Sequence, residues 1–245
     1  MNEFLIYFTQ KYKGDWDLIY KAFKKTEKVN SEILKLLKEK EEIKNKKYIT
    51  ILDEDYPKKF NTLYKPPFAI YYEGNKGLLN KKIVCITGNL ENKSGQDFLS
   101  KIDTLSDDYV FISEGWVGFD NKIVEYLIKK NKNIIIVLAS GIKNSKKEKL
   151  FANYDKKKFL LISEYPNEYH VTRKAIYARN RIVACLADNL IILASQNKKM
   201  MPLVDNFIEQ NKIINCVKPD ENETNNDNIE LINSGAILIN DLNNI

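Results

Sequence analysis

Asn133-Ile134-Ile135-Ile136-Val137-Leu138-Ala139 is apolar at every position after its asparagine and is followed at once by Ser140-Gly141. A strand with one face in water alternates apolar and polar residues, whereas a run apolar on consecutive residues suits a strand covered on both faces. Working outward, similar short runs recur at Ile83 to Thr87, Tyr109 to Ser113, Phe159 to Ser163, Ile213 to Val217 and Ala236 to Asn240. Helical spacing fills the gaps at about Gly95 to Leu105, Asp120 to Lys130 and Met200 to Asn211. Alternating strands and helices of this kind predict an α/β fold, a doubly wound and mostly parallel sheet.

Upstream of this region the pattern differs. Trp16, Ile19, Tyr20 and Phe23, then Ile33, Leu34, Leu36 and Leu37, recur at helical intervals and predict a small helical unit over residues 1–47. Its lysines are interleaved with Glu39, Glu41 and Glu42 and read as a solvated helix face. Tyr48 to Pro57 and Phe68 to Gly74 are short and punctuated by prolines, and are expected to be two short strands or extended segments that lead from that unit into the main domain, residues 48–245.

The formal charge of +6 on 245 residues is a modest excess of 39 basic over 33 acidic groups, so it permits a polyanionic partner without requiring one. From Pro219 onward the chain carries Asp220, Glu221, Glu223, Asp227, Glu230 and Asp241 and no Lys or Arg, which places any anion-binding face outside the tail. The polar stretch Asp220 to Asn228 lacks glycine and is expected to be mobile. Cys85, Cys185 and Cys216 sit in apolar runs without CxxC spacing, as buried thiols in a reducing compartment do. His170 is the only histidine and is expected on the surface, which excludes a multi-histidine metal site. No apolar run reaches membrane-spanning length and no secretory leader is evident, so a cytoplasmic protein is expected.

In an open parallel sheet ligands bind beyond the carboxyl ends of the strands. Those positions are Gly88-Asn89, Ser113-Glu114-Gly115, Ser140-Gly141, Ser163-Glu164-Tyr165-Pro166 and Ser195. Small and hydroxylated residues there serve either as ordinary strand-to-helix turns or as donors to a phosphate. Arg179-Asn180-Arg181 heads an apolar, helix-like run to Asp188 that leads into the strand-like Asn189 to Ser195; its arginines read either as solvated charges at a helix start or as an anion site. No GxGxxG, GxxxxGK[ST] or GxSxG motif occurs, so dinucleotide, P-loop and hydrolase chemistry have no sequence support.

Several of these segments, in order, resemble the DprA/Smf family, the DNA-processing proteins of bacteria. Tyr56-Pro57 with Pro66-Pro67-Phe68-Ala69-Ile70-Tyr71-Tyr72-Glu73-Gly74 is similar to the family's entry into its Rossmann-like domain. Ile83 to Gly88, Ser113 to Asp120, Ile134 to Gly141, Ser163-Glu164-Tyr165-Pro166, the arginine segment and Ile232-Asn233-Ser234-Gly235-Ala236 resemble its later motifs. The resemblance implies a Rossmann-like, non-catalytic, cofactor-free homodimer that binds single-stranded DNA and hands it to a RecA-type recombinase. Carried over residue by residue, the DNA-binding positions are Gly88, Asn89, Ser113, Gly118, Ser163, Arg179, Asn180 and Arg181.

The departures from the pattern lie at the same place. Asn89-Leu90 replaces a serine and an arginine, Glu114 a glycine, Trp116 an alanine and Val117 a basic residue, while Lys218-Pro219-Asp220 stands for a VPG turn, and a family member without the winged-helix extension is expected. A carboxylate beside a polyanion path is unfavourable, and whatever phosphate grip remains is expected to rest on Arg179 and Arg181. If Glu114 and Trp116 fill the pocket bordered by Gly88 and Arg179, that path is blocked. Two other readings are carried: a Rossmann-like enzyme or sensor for a nucleotide-like small molecule, although the PGGxGTxxE motif of lonely-guy enzymes is absent, and a degenerate dimerisation scaffold.

Overall fold

The computed structural model describes residues 2–220 and 222–242. Helices α1 (Asn2–Lys11), α2 (Trp16–Lys24), α3 (Ser31–Lys38) and α4 (Glu41–Lys44) open the chain. Asp15 and Asn30 cap α2 and α3 by accepting from Leu18 N and from Glu32 N and Ile33 N, satisfying amide groups that a helix start leaves free. Tyr7, Phe8, Ile19 and Ala22 form a small core of their own, which Phe68 helps to close. Asn2 donates to Asp53 and Gln10 to the Tyr71 hydroxyl, so α1 is also tied to the segments beyond the helical unit.

The order then runs β1 (Tyr48–Thr50), β2 (Ala69–Gly74), β3 (Lys82–Thr87), α5 (Lys93–Lys101), β4 (Tyr109–Ser113), α6 (Phe119–Lys129), β5 (Asn133–Val137), α7 (Ile142–Ser145), β6 (Phe159–Ser163), α8 (Arg173–Leu186), β7 (Asn189–Ile192), α9 (Met201–Glu209), β8 (Ile213–Val217), α10 (Asn228–Asn233) and β9 (Ile237–Ile239). The described strands form one nine-stranded sheet in the order β1-β2-β6-β5-β4-β3-β7-β8-β9. From β6 to β9 every pair is parallel, and β2 and β1 add antiparallel at one edge. Of the two forms expected for 48–57 and 68–74, short strands or extended segments, both stretches hold strands of the sheet, where pairing satisfies their backbone groups.

Alternation along each strand splits the core into two layers. Ile83, Cys85, Ile112, Ile135, Leu160 and Ile192 face α8 and α9 through Ile182, Val183, Leu186 and Phe207. Val84, Ile86, Phe111, Ile134, Ile136 and Leu161 face α5 and α6 through Phe98, Ile123, Val124 and Leu127. Parallel strands are apolar on consecutive residues here because each is covered on both sides.

One expectation is corrected. Helix α8 starts at Arg173, capped by the Thr172 hydroxyl oxygen accepting from Ala175 N, so Arg179 and Arg181 lie within the helix and not at its head. In the stretch after Pro219, Asn92 and Asn226 both donate to Glu223, Ser94 donates to Asp220, and the fully buried Asn228 donates to the carbonyls of Ile192, Leu193 and Val217. The buried part of that polarity satisfies the ends of the strands, while Asn222, Thr224 and Asn225 are exposed. Cys85, Cys185 and Cys216 are buried free thiols, and His170 is exposed in the loop before α8.

Candidate functional site

The strand order reverses between β3 and β7, and a cleft of about 740 Å³ opens beyond their carboxyl ends. Gly88 and Asn89 after β3, Glu114 and Trp116 to Asp120 after β4, one face of α8, and Lys198 to Met200 with Pro202 and Leu203 line it. Asn89 closes the switch point: its amide donates to Gln196 O and its side-chain oxygen accepts from Gln196 N, each at 2.9 Å. This clasp and the bond from Lys198 N to Asp227 hold a loop in which Asn197 and Lys198 are successive left-handed residues, at φ 60° and 53°. Left-handed backbone outside glycine costs about 1 kcal/mol per residue and persists only where the surroundings impose it.

The loop after β4 turns through Gly115 at φ 62° and Gly118 at φ 94°, values that favour residues without a Cβ. Between them Trp116 and Val117 are held outward and exposed. Beneath the turn the fully buried Asp120 accepts from Thr87 Oγ1 and Ser113 Oγ at 2.9 Å and from Trp116 N at 2.8 Å, joining the ends of β3 and β4 to the loop. Burial pushes its carboxyl above the usual range despite these bonds, and burial likewise raises Glu114 against the pull of Arg179.

On α8, Arg173, Ile176, Tyr177 and Asn180 fall at i, i+3, i+4 and i+7, and all four line the cleft. The guanidinium of Arg173 lies 5.8 Å from the Tyr177 ring centre. Arg179 points the other way, into the protein. Its Nη2 donates to Glu114 Oε1 at 2.7 Å and its Nη1 to Glu114 O at 3.3 Å, while the guanidinium stacks 5.3 Å from the Trp116 ring centre. Both charged side chains are almost wholly buried, 5% and 3% exposed. The Asn180 amide, set by its acceptors, donates to Ile176 O and to the same carboxylate. Arg181 lies on the opposite face of the helix, forked onto Glu164 at 2.8 and 2.6 Å.

Of the positions expected from sequence, the cleft brings together Gly88, Asn89, Gly118 and Asn180. Ser113 and Ser163 are fully buried with their hydroxyls turned inward, Ser113 donating to Asp120 and Ser163 to Ser140 O, so neither presents a donor to the cleft. Arg179 and Arg181, on which the phosphate grip was expected to rest, each hold a carboxylate here, Glu114 and Glu164. Glu114 and Trp116 wall the cleft without filling it. The charged rim is instead Arg173, Lys198 and Lys199, with Lys198 sharing Glu230 at 3.1 Å. The i, i+3, i+4, i+7 spacing from Arg173 was the signal that would have found the α8 part of it. Among the described residues no cluster has the make-up of a metal site, and no helix is long and apolar enough to cross a membrane.

The sequence model of the family described as DNA recombination-mediator protein A matches residues 47–245. DNA processing protein DprA of Streptococcus pneumoniae is 28% identical over 147 residues, and that of Bacillus subtilis 24% over 156. These spans cover 58% and 61% of this chain and 52% of each relative, so the chain aligns with about half the length of the curated relatives. The crystal structure of the Streptococcus pneumoniae protein superposes with a TM-score of 0.73 at 19% identity, over 98% of this chain and 95% of that one. DNA processing protein A of Helicobacter pylori, a structure that bears on its single-stranded DNA binding mode, gives 0.64 at 24% identity, over 78% and 90%. Both share the mixed, mostly parallel sheet and confirm the Rossmann-like α/β fold. The matched span takes in the whole described sheet and every residue lining the cleft, and the chain belongs to the DNA recombination-mediator protein A family.

Proposed function

We propose that this chain binds single-stranded DNA without catalysis, in DNA uptake and recombination, and that the strand lies in the cleft between β3, β7 and α8. One observation carries the reading: a single open cleft joins two partly exposed aromatic rings, Trp116 and Tyr177, to three cations, Arg173, Lys198 and Lys199. Bases stack on aromatic faces whatever their identity, and cations track the backbone, which is the chemistry of sequence-tolerant single-strand binding. Family membership and the single-stranded DNA binding of the Helicobacter pylori protein support it. Gly88, Asn89, Gly118 and Asn180 shape the cleft, and Arg179 positions Glu114 and Trp116 from beneath. Residues 1–47 act as an accessory helical unit beside the DNA-handling body, residues 48–245.

The same proposal takes the protein as a cytoplasmic homodimer that passes its strand to a RecA-type recombinase. Exposed Ile229, Ile237 and Leu238 near the free β9 edge supply apolar surface of the sort self-association covers. Labelled polythymidine titrated at low and moderate salt tests the binding claim. Wild type binds and weakens steeply with salt, and Arg173→Ala/Lys198→Ala/Lys199→Ala binds at least about tenfold more weakly. A triple variant that binds like wild type overturns the reading.

A second reading, a site for a nucleotide-like small molecule, draws on the cleft's volume of about 740 Å³ and the buried Glu114 and Asp120 at its floor. A nucleotide that raises the melting temperature while polythymidine does not would favour it.

A further inference from the structure

Helix α8 separates the cleft between β3, β7 and α8 from a second one of about 420 Å³, bounded on its far side by the α1–α2 turn. Arg173 and Tyr177 face the first cleft; Lys174, Ala178 and Arg181 face the second. The walls of the second cleft are fixed. A Cβ at Gly14 would come within 2.7 Å of Glu164 O and 2.8 Å of the Tyr165 ring, so the two sides approach as closely as a glycine permits. Trp16 Nε1 also donates to Pro66 O at 2.8 Å, and Tyr165 and Tyr169 stack at 4.4 Å.

Tyr12, Trp16 and Tyr169 are partly exposed and line this space together with Lys13, Lys65 and Lys174. Lys174 is bonded to Asp15 and Lys65 to Asp17, both at 2.7 Å, while Lys13 makes no ion pair among the described residues. The Lys174 side chain is 75% exposed and Asp17 61%, so these pairs are of the solvent-screened kind that contributes little and exchanges readily. Aromatic surface beside exchangeable cations repeats the chemistry of the first cleft. Arg173 and Lys174 are consecutive and exposed, one to each side, so a chain leaving the first cleft over the start of α8 passes directly from one cation to the next.

We infer that the second cleft, between the N-terminal helical unit and α8, continues the single-strand path: it takes further nucleotides of the same strand, with Lys174 and Lys13 on phosphates and Tyr169 and Trp16 beside the bases. This rests on the reading of the first cleft as a single-strand site. The helical unit then lengthens the footprint by forming one wall of it.

Fluorescence anisotropy with oligothymidylates of about 4 and about 16 nucleotides, the limits of site size in single-strand-binding folds, separates the two clefts. The full-length chain is expected to bind the longer oligomer the more tightly. Lys13→Gln/Lys174→Gln, surface changes checked by an unaltered melting temperature, should weaken the longer oligomer at least about tenfold and lower its salt slope by about 1.4, at about 0.7 per lost contact, while leaving the shorter unchanged. Equal loss for both lengths, or no loss for either, overturns the inference and leaves the first cleft standing. Failure of wild type to bind either length overturns the first-cleft reading and this one with it.

Discussion

Arg179 and Glu114 meet at 2.7 Å inside the protein, with 5% and 3% of their side chains exposed, and the pair forms the underside of the turn that holds Trp116 out. The carboxylate that looks hostile to a polyanion in the sequence is thus paired with an arginine that looks like a phosphate ligand. Two charges taken out of water together are stable only as a pair, so breaking it is costly while replacing both is not.

Arg179→Ala should therefore lower the unfolding free energy by about 3–5 kcal/mol at neutral pH in urea titrations, and Arg179→Met/Glu114→Leu should recover most of the loss. Glu114 already lies above its ordinary value of 4.5 through burial, and Arg179 is the group that draws it down. Removing Arg179 raises it further, so the cost of Arg179→Ala should be smaller at pH 5 than at pH 8. A cost independent of pH would mean that Glu114 stays charged.

Asp120, raised from 3.8 by burial, holds its proton in the native state where the unfolded chain has lost it. Such a group adds stability at low pH that is lost as pH rises from the unfolded value through the folded one. Relative to Asp120→Asn, wild type should gain stability as pH falls toward 3.8, and the difference should be flat above the folded value. Parallel curves for the two proteins would contradict the assignment.

Asn89→Ala removes both bonds to the Gln196 backbone and should cost about 1–3 kcal/mol, with Asn89→Asp between the two because it keeps only the acceptor. Since the clasp holds the loop bearing Lys198 and Lys199, hydrogen exchange in residues 196–199 should speed up in the same order.

Asn228→Ala leaves the Ser195 hydroxyl and three strand-end carbonyls without their buried partner, and should cost about 2–3 kcal/mol. Loss within about 0.5 kcal/mol of zero, the size of a surface change, would show that the anchored tail does not hold β7 and β8 together.

The sheet was legible because fully covered parallel strands must be apolar on consecutive residues, as Ile134 to Val137 and Leu160 to Ile162 are. The site was only partly so. Gly88 and Asn89 follow from where a parallel sheet opens, whereas Arg173 was hidden because Thr172, the cap that starts α8, follows the exposed polar loop around His170. Nothing local links Arg179 to Glu114 across 65 positions, and the expectation that charge is solvated fails where two opposite charges are buried together. The stretch after Pro219 is the loop its composition announced, but nothing in that composition shows that Asn228 at its end satisfies strand-end carbonyls.

Which cations face the strand is the central question, and the salt dependence of polythymidine binding measures it most directly. With about 0.7 of slope per phosphate contact, Arg173→Ala/Lys198→Ala/Lys199→Ala should lower the magnitude of the log–log salt slope by about 2. Arg181→Ala, which removes a guanidinium forked onto Glu164, should leave the slope unchanged. A slope that falls with Arg181→Ala and holds in the triple variant would contradict the assignment of the strand to this cleft.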